Sequence, residues 1–516
     1  MDFGSLKPKK ANPSRNAIEA GGLTFDVTLV EDTHDRVTRP NPVNELLVPL
    51  VGVLVMIVPF AVGGNRPQPW TLNAMAVAVI AAVYFASLLM SHRARAPRFL
   101  HHRAVLFAAL LMPLFAIVQI LPVFAWLPQG AVPQEVAGAQ ISVAPSVTVL
   151  GGLRSVTYLL IFIVTIEICG RETRVRQLSR IIFYGVTLHA LWAMVALRLL
   201  GDIHIWGEKT SYLGWATGPF VNRNSFATFL GMGLIVGLAL VLDRANRRRT
   251  RRPDKDSPLS PYAIATAFDW VCLVMIFTAL LATGSRMGAV ATILGAVGVA
   301  VAMRIKTRRA RRATKGPRRS RRRPKFARFG LPLLGAGVLM ILVLVLGGDV
   351  VERMLFVERA SETRAELYVQ TLRLITTRPL TGYGLDTFRI AFPLVHTPEV
   401  NPSLTWDLAH NTYLSNWAEL GVVAGSAPIL AVALAAWRIA GVVRLRESHV
   451  AGPISALGVI ALGATHSLVD FSLEIAGNTL LFVVVVAMGL SQWRTPEEIE
   501  SASARREAQG AKGGGS

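Results

Sequence analysis

Runs of about twenty apolar residues recur along almost the whole chain, each long enough to cross roughly 30 Å of hydrocarbon as a helix. Backbone in lipid must satisfy its own hydrogen bonds, so only helices or closed barrels span a membrane. Unbroken apolar runs, rather than alternating ones, exclude the barrel. The expected fold is all-α and polytopic, with about twelve transmembrane helices near residues 43–62, 71–90, 104–121, 149–169, 181–200, 220–242, 263–282, 287–303, 331–346, 421–440, 453–469 and 479–492. A composition of 52% hydrophobic and 17% charged residues, with mean hydropathy +0.46, fits no soluble globular chain.

The spans divide the chain. Residues 1–42 read as a polar cytoplasmic tail without the short apolar core of a signal peptide. Spans one to nine occupy 43–346, with a basic loop at 304–330. A long polar loop follows at 347–420, then three spans in 421–492 and a second tail at 493–516.

The net charge of +22 raises the question of nucleic acid, but its distribution answers it. Fourteen Lys and Arg lie between Arg304 and Arg328 without one acid, which leaves +8 for everything else. Such a block between spans is a cytoplasmic loop lying against anionic headgroups, and no nucleic-acid partner is expected. Other basic connectors, with Arg93 to Arg103, Arg171 to Arg176, Arg247 to Arg252, and Arg444 with Arg446, fall on the same side if the spans alternate. Both termini are then cytoplasmic, and loop 347–420 faces outward, in a bacterium into the periplasm. Cys169 and Cys272, the only cysteines, sit inside apolar runs and offer neither disulfide framework nor metal cluster.

The longest polar, aromatic and titratable stretch is Thr381 to Gly421. Within it, His410, Tyr413, Leu414 and Trp417 fit one helical face, with Asp407 as the expected N-cap and His410 in the first turn. The positive end of a helix dipole disfavours imidazolium and keeps His410 in the neutral form that a general base needs. The plainer alternative is an interfacial histidine bonded to a backbone carbonyl.

Arginines on the less basic side run against the positive-inside trend and want an anionic partner. Arg223, flanked by Asn222 and Asn224, stands at one span end, and Arg286 stands in a short turn between two others. Arg364 and Arg378 lie on or beside an amphipathic helix, with Arg389 just beyond. A pyrophosphate suits them, because guanidinium matches phosphate oxygens bidentately and stays charged when partly desolvated; snorkelling to headgroups is the alternative. Arg154 and Arg198 read as structural. His466, Asp470 and Glu474 cluster near another span end, where a helix-end hydrogen bond accounts for them as well as a site does. No Asp-x-Asp, His-x-x-x-His or clustered carboxylates stand out, so no metal or other cofactor is required.

The order of these signatures resembles the O-antigen ligase and Wzy-type polymerase superfamily. They are N-x-N-x-F-A at Asn222–Ala227, S-R at Ser285–Arg286, R-P-L-x-G-x-G at Arg378–Gly384, and H-N-x-Y-L-x-x-x-x-E-L-G at His410–Gly421. The resemblance covers about 104–493 and departs at Met287, where many members carry Gly, which puts close packing there in doubt. It implies a C-type glycosyltransferase-like membrane enzyme that moves a glycan from undecaprenyl pyrophosphate to an acceptor hydroxyl, without a metal, on the outer face of the inner membrane. His410 is then the base, and Arg223, Arg286, Arg364 and Arg389 bind the pyrophosphate. Asn222, Asn224, Arg378, Asn411, Tyr413 and Glu419 support them. Acceptors in the superfamily are carbohydrate, lipid or protein hydroxyls, and segment 392–406 is the candidate acceptor region. A protein O-oligosaccharyltransferase of the same superfamily and a polytopic lipid or glycan transporter are the rival readings.

Overall fold

The apolar runs fold as helices. The computed structural model describes residues 42–90, 97–126, 138–250, 261–313, 359–401, 405–446 and 449–493. In chain order its α-helices are α1 Pro42–Ile57, α2 Pro67–Met90, α3 Arg103–Ile120, α4 Pro145–Ile168, α5 Glu172–Arg198, α6 Arg223–Thr250 and α7 Pro261–Ala282. They continue with α8 Arg286–Ala313, α9 Arg359–Thr377, α10 Phe388–Ala391, α11 Thr412–Gly425, α12 Ala427–Leu445, α13 Ala451–His466 and α14 Ala476–Leu490. Among the described residues nine helices are long and apolar enough to cross a membrane, and α13 and α14 are shorter apolar helices. The chain is an all-helical polytopic membrane protein. The expected span at 331–346 and most of basic loop 304–330 lie outside the described residues, as do the tails 1–41 and 494–516, so the number twelve is not fixed.

Several expected boundaries move. Helix α5 begins at Glu172 rather than near 181, because its arginine-bearing first turns are good helix formers. Helix α8 continues through Arg304 to Ala313, because this stretch is rich in Lys and Arg, good helix formers. Helix α12 starts at Ala427 instead of 421, because the residues from 421 to 425 belong to α11, which is kinked at Gly421 (φ 72°), and Ser426 separates the two helices.

Consecutive spans alternate in direction. At one end Glu45 approaches Arg174, Tyr84 donates to Glu167 at 2.9 Å, and Lys306 donates to the Arg446 carbonyl at 2.8 Å. At the other end Gln119, on α3, donates to the Thr381 and Glu419 carbonyls at 2.8 and 2.7 Å, which brings the 359–425 segment onto the bundle.

Helix α6 is the centre: 78% of its spanning window is buried, against 17% for α2 at the periphery. Close packing explains how. Gly231 meets Thr292 and Leu462, Gly233 meets Val186, and Gly237 meets Phe183, the small-residue contacts that let membrane helices approach. A separate hydrophobic cluster made of Leu367, Phe388, Phe392, Val400 and Leu414 holds 359–425 together, so this segment is a packed element with its own core.

Candidate functional site

The H-N-x-Y motif forms the joint between this packed segment and the bundle. Asn411 is the N-cap of α11: its side-chain oxygen accepts from the backbone of Tyr413 at 3.0 Å and Leu414 at 3.1 Å. Its amide donates to the Leu468 carbonyl at 2.9 Å, Thr412 N donates to the Ser467 carbonyl at 3.1 Å, and the Tyr413 hydroxyl donates to Ala464 at 2.8 Å. The motif is thus bolted to the end of α13 and the turn that follows.

This corrects the expected cap. Asp407 does not begin the helix but pairs with Arg389 at 3.3 Å, both side chains exposed. His410 precedes the cap, with left-handed backbone at φ 54°, a conformation that costs a non-glycine residue roughly 1–2 kcal/mol. Asp and Asn cap equally well; Asn411 prevails because its amide also reaches Leu468.

The His410 imidazole is half-buried, its centroid 4.7 Å from Phe471 in an edge contact and 6.0 Å from Trp406. Tyr368 donates to its carbonyl at 2.9 Å and fixes the backbone. Nδ1 is buried with no hydrogen-bond partner. Burial holds the imidazole below its ordinary pKa; the Asp470 carboxylate opposes this and Arg364 reinforces it. Asp470 is 1% exposed, bonded to Asn224 at 2.9 Å and to Ser472.

Arg364 connects His410 to two other arginines, since both it and Arg286 lie within electrostatic reach of Arg223. Arg223, first residue of α6, stacks 4.4 Å above Trp215 and lies 5.9 Å from Tyr212. Asn222 caps that helix through the backbone of Asn224 at 2.7 Å and of Ser225 at 3.3 Å, and its amide donates to the Tyr212 hydroxyl at 3.2 Å. Arg286, first residue of α8, is exposed. Ahead of it Gly284, at φ 61°, lies directly under the Trp215 ring where a Cβ would collide. Among the described residues no ion pair joins Arg223, Arg286 or Arg364 to a carboxylate. Arg364 thus acts electrostatically on both His410 and Arg223, and Arg286 on Arg223, which groups three cations from elements far apart in sequence, the chemistry that suits a polyanion.

Residues 271–429 match the O-antigen ligase family. The match supports the superfamily whose motifs the sequence resembles, and a glycan transferase of the O-antigen ligase and polymerase type. None of the curated proteins matches this chain. The matched stretch carries Arg286, Arg364, Arg378, Arg389, His410, Asn411, Tyr413 and Glu419, whereas Asn222, Arg223, Asn224 and Asp470 lie outside it and join through the fold.

The remaining expected residues sit apart from the three arginines. Arg378 is buried, stacked 4.4 Å over Tyr383 and donating to the Ile141 carbonyl at 3.2 Å. Arg389 stays on the rim with Asp407. The Glu419 carboxylate accepts from the backbone of Asp386 at 2.8 Å and of Phe388 at 3.2 Å, and its backbone carbonyl accepts from Gly384 N at 2.9 Å at the end of the R-P-L-x-G-x-G turn. That turn is tight: Gly382, at φ 61°, passes against the Glu419 carbonyl. Met287 stands where Gly was expected, but the close packing is taken over by Gly288 against Ala227. His466 bonds to Thr228 at 2.7 Å rather than to Asp470. Sequence reasoning missed Tyr212, Trp215, Tyr368 and Phe471. Only the aromatic run SYLGW ahead of NRNS hinted at the first two. Among the described residues no three His, Cys, Asp or Glu side chains are grouped to hold a metal ion.

Proposed function

We propose that this protein transfers a glycan from undecaprenyl pyrophosphate to an acceptor hydroxyl on the periplasmic face of the bacterial inner membrane. The carrying observation is the group Arg223, Arg286 and Arg364, without a carboxylate ion pair among the described residues, which Arg364 links to an imidazole whose pKa burial lowers. The three arginines grip the pyrophosphate, and His410 faces the acceptor hydroxyl through Nε2, the nitrogen that is not enclosed. The acceptor oxygen attacks the anomeric carbon while its proton passes to Nε2, and the bond from that carbon to the pyrophosphate oxygen breaks. Undecaprenyl pyrophosphate leaves with the bonding pair, its growing charge held by arginines already in place. Asp470 stabilises the imidazolium that forms, and Tyr368 and Phe471 hold the ring.

Arg389, exposed and shared with Asp407, reaches the donor only at the rim, and Arg378 supports the loop rather than the phosphate. The acceptor is a carbohydrate, lipid or protein hydroxyl that enters past segment 392–406. The test is transfer by purified protein on a synthetic polyprenyl-pyrophosphate donor. Arg286→Gln and Arg364→Gln should each weaken donor binding about tenfold or more, the worth of a charge-assisted hydrogen bond to phosphate, and chelator should leave transfer intact. Unchanged donor affinity in both variants contradicts the arginine assignment, and lipid movement without transfer identifies a transporter instead.

A further inference from the structure

A short turn, Asp470 to Ser472, is held from two sides. On one side Phe471 meets the His410 ring at 4.7 Å, and Thr412 donates to the Asp470 carbonyl at 3.2 Å. On the other side stands the first turn of α6, the helix that begins with Arg223. Asn224 in that turn donates to Asp470 Oδ2 at 2.9 Å. The Asn478 amide, on α14, donates to the carbonyls of both Ser225 and Ser472, each at 2.9 Å.

Asn478 is 0% exposed. Both its partners are carbonyls, so the amide nitrogen is the atom that faces them. Its Oδ1 is buried without a partner, a cost that an apolar side chain of the same shape would not carry. What the amide adds in exchange is a fixed separation between α6 and the turn. The Asp470 carboxylate is 1% exposed and held at both oxygens, by Asn224 and by Ser472. Within its electrostatic reach lie His410, His466, Tyr212 and Tyr368, and Arg364 acts on both histidines.

We infer that Asn224 and Asn478 are positioning residues for transfer: they pin the Asp470–Ser472 turn to the first turn of α6, and so fix His410 relative to Arg223. This rests on the reading of His410 as the base. Both amides act through the turn rather than on substrate. Losing either one frees Phe471 and the Asp470 carboxylate to move from the imidazole, and small displacements of a catalytic group are costly.

Transfer kinetics and NMR of selectively labelled histidine in the purified full chain test this, with the His410 signal assigned by its absence in His410→Gln. Asn224→Leu and Asn478→Leu should each lower kcat about tenfold or more, with donor affinity within a few-fold of wild type. Because Asp470 raises the His410 pKa, a displaced carboxylate should let the imidazole titrate at lower pH in both variants. Asn224→Gln, which keeps the donor, should recover most of the turnover. Should Asn478→Leu fail to fold, Asn224→Leu, at a half-buried position, decides. An unchanged His410 titration in Asn224→Leu, or a lower melting temperature with normal kcat, reduces the amides to packing and overturns the inference. Wild-type protein without transfer contradicts the proposed function instead, and the titration, which needs no transfer, still decides whether the amides place His410.

Discussion

Arg154 on α4 and Asp386 in the 359–425 segment form an ion pair of 2.7 Å with side chains only 13% and 17% exposed. Trp70 covers the guanidinium at 4.4 Å, and Glu419 holds the Asp386 backbone from behind. Beside the hydrogen bonds from Gln119, Asn411, Tyr413 and Arg378, one enclosed charge pair helps to dock this polar element onto the membrane bundle. Breaking such a pair from one side leaves the other charge uncompensated, at a cost of roughly 3–5 kcal/mol. Arg154→Met and Asp386→Leu should each lower the melting temperature and open 359–425 to protease. The double variant should be less destabilised than the two losses added. Strict additivity would show that the pair is not what docks the segment.

Glu474 neighbours this pair, and burial, helped by the charge of Asp386, pushes its carboxyl up to about 8. Burial, with Asp386 and Glu474 beside it, also raises Glu419. A carboxyl whose pKa is raised on folding stabilises fully below its unfolded value of 4.5, and that contribution is lost as pH rises through the folded value. Thermal stability should therefore decline between about pH 4.5 and 8, and Glu474→Gln should flatten the slope. A slope unchanged by Glu474→Gln would argue that the carboxyl titrates normally.

Gly284 allows the Trp215 ring to lie flat on the α7–α8 turn and to carry Arg223 on its other contacts. Gly284→Ala adds a methyl where the ring sits and a left-handed penalty of roughly 1–2 kcal/mol. Donor affinity should fall more than acceptor affinity, because the displaced groups are Trp215 and Arg223. Equal donor binding in this variant would separate the aromatic shelf from the phosphate site.

The acid side of the transfer profile reports His410. A base must be deprotonated, and burial holds this imidazole below its ordinary value of 6.5, so activity should persist into mildly acid solution. Asp470 raises the imidazole pKa and Arg364 lowers it. Asp470→Asn should therefore move the acid limb to lower pH, and Arg364→Gln should move it to higher pH. Shifts in the same direction, or none, would place the titrating group elsewhere.

Much of the architecture was legible in the sequence because hydrophobic length is a local property. The apolar runs around α1 to α8 and α12 gave the spans, and the polar islands at NRNS, SR and HNTY stood out against them. Finer geometry was not local. Asp407 and Asn411 are both good caps, and only the Leu468 carbonyl, 57 residues away, favours the second. Arg378 and Arg364 lie on the same amphipathic stretch, yet one is stacked on Tyr383 and the other is within electrostatic reach of His410, a difference set by tertiary packing. Arg154 looked structural and is, but its partner Asp386 lies 232 residues on, beyond any periodicity.

The central claim is that His410 takes the proton of the acceptor hydroxyl, and single-turnover transfer by His410→Ala with saturating purified donor tests it most directly. General-base catalysis contributes about 10²–10⁴-fold, so turnover should fall by that factor while donor affinity, carried by Arg223, Arg286 and Arg364, stays near wild type. Turnover within a few-fold of wild type would contradict the assignment.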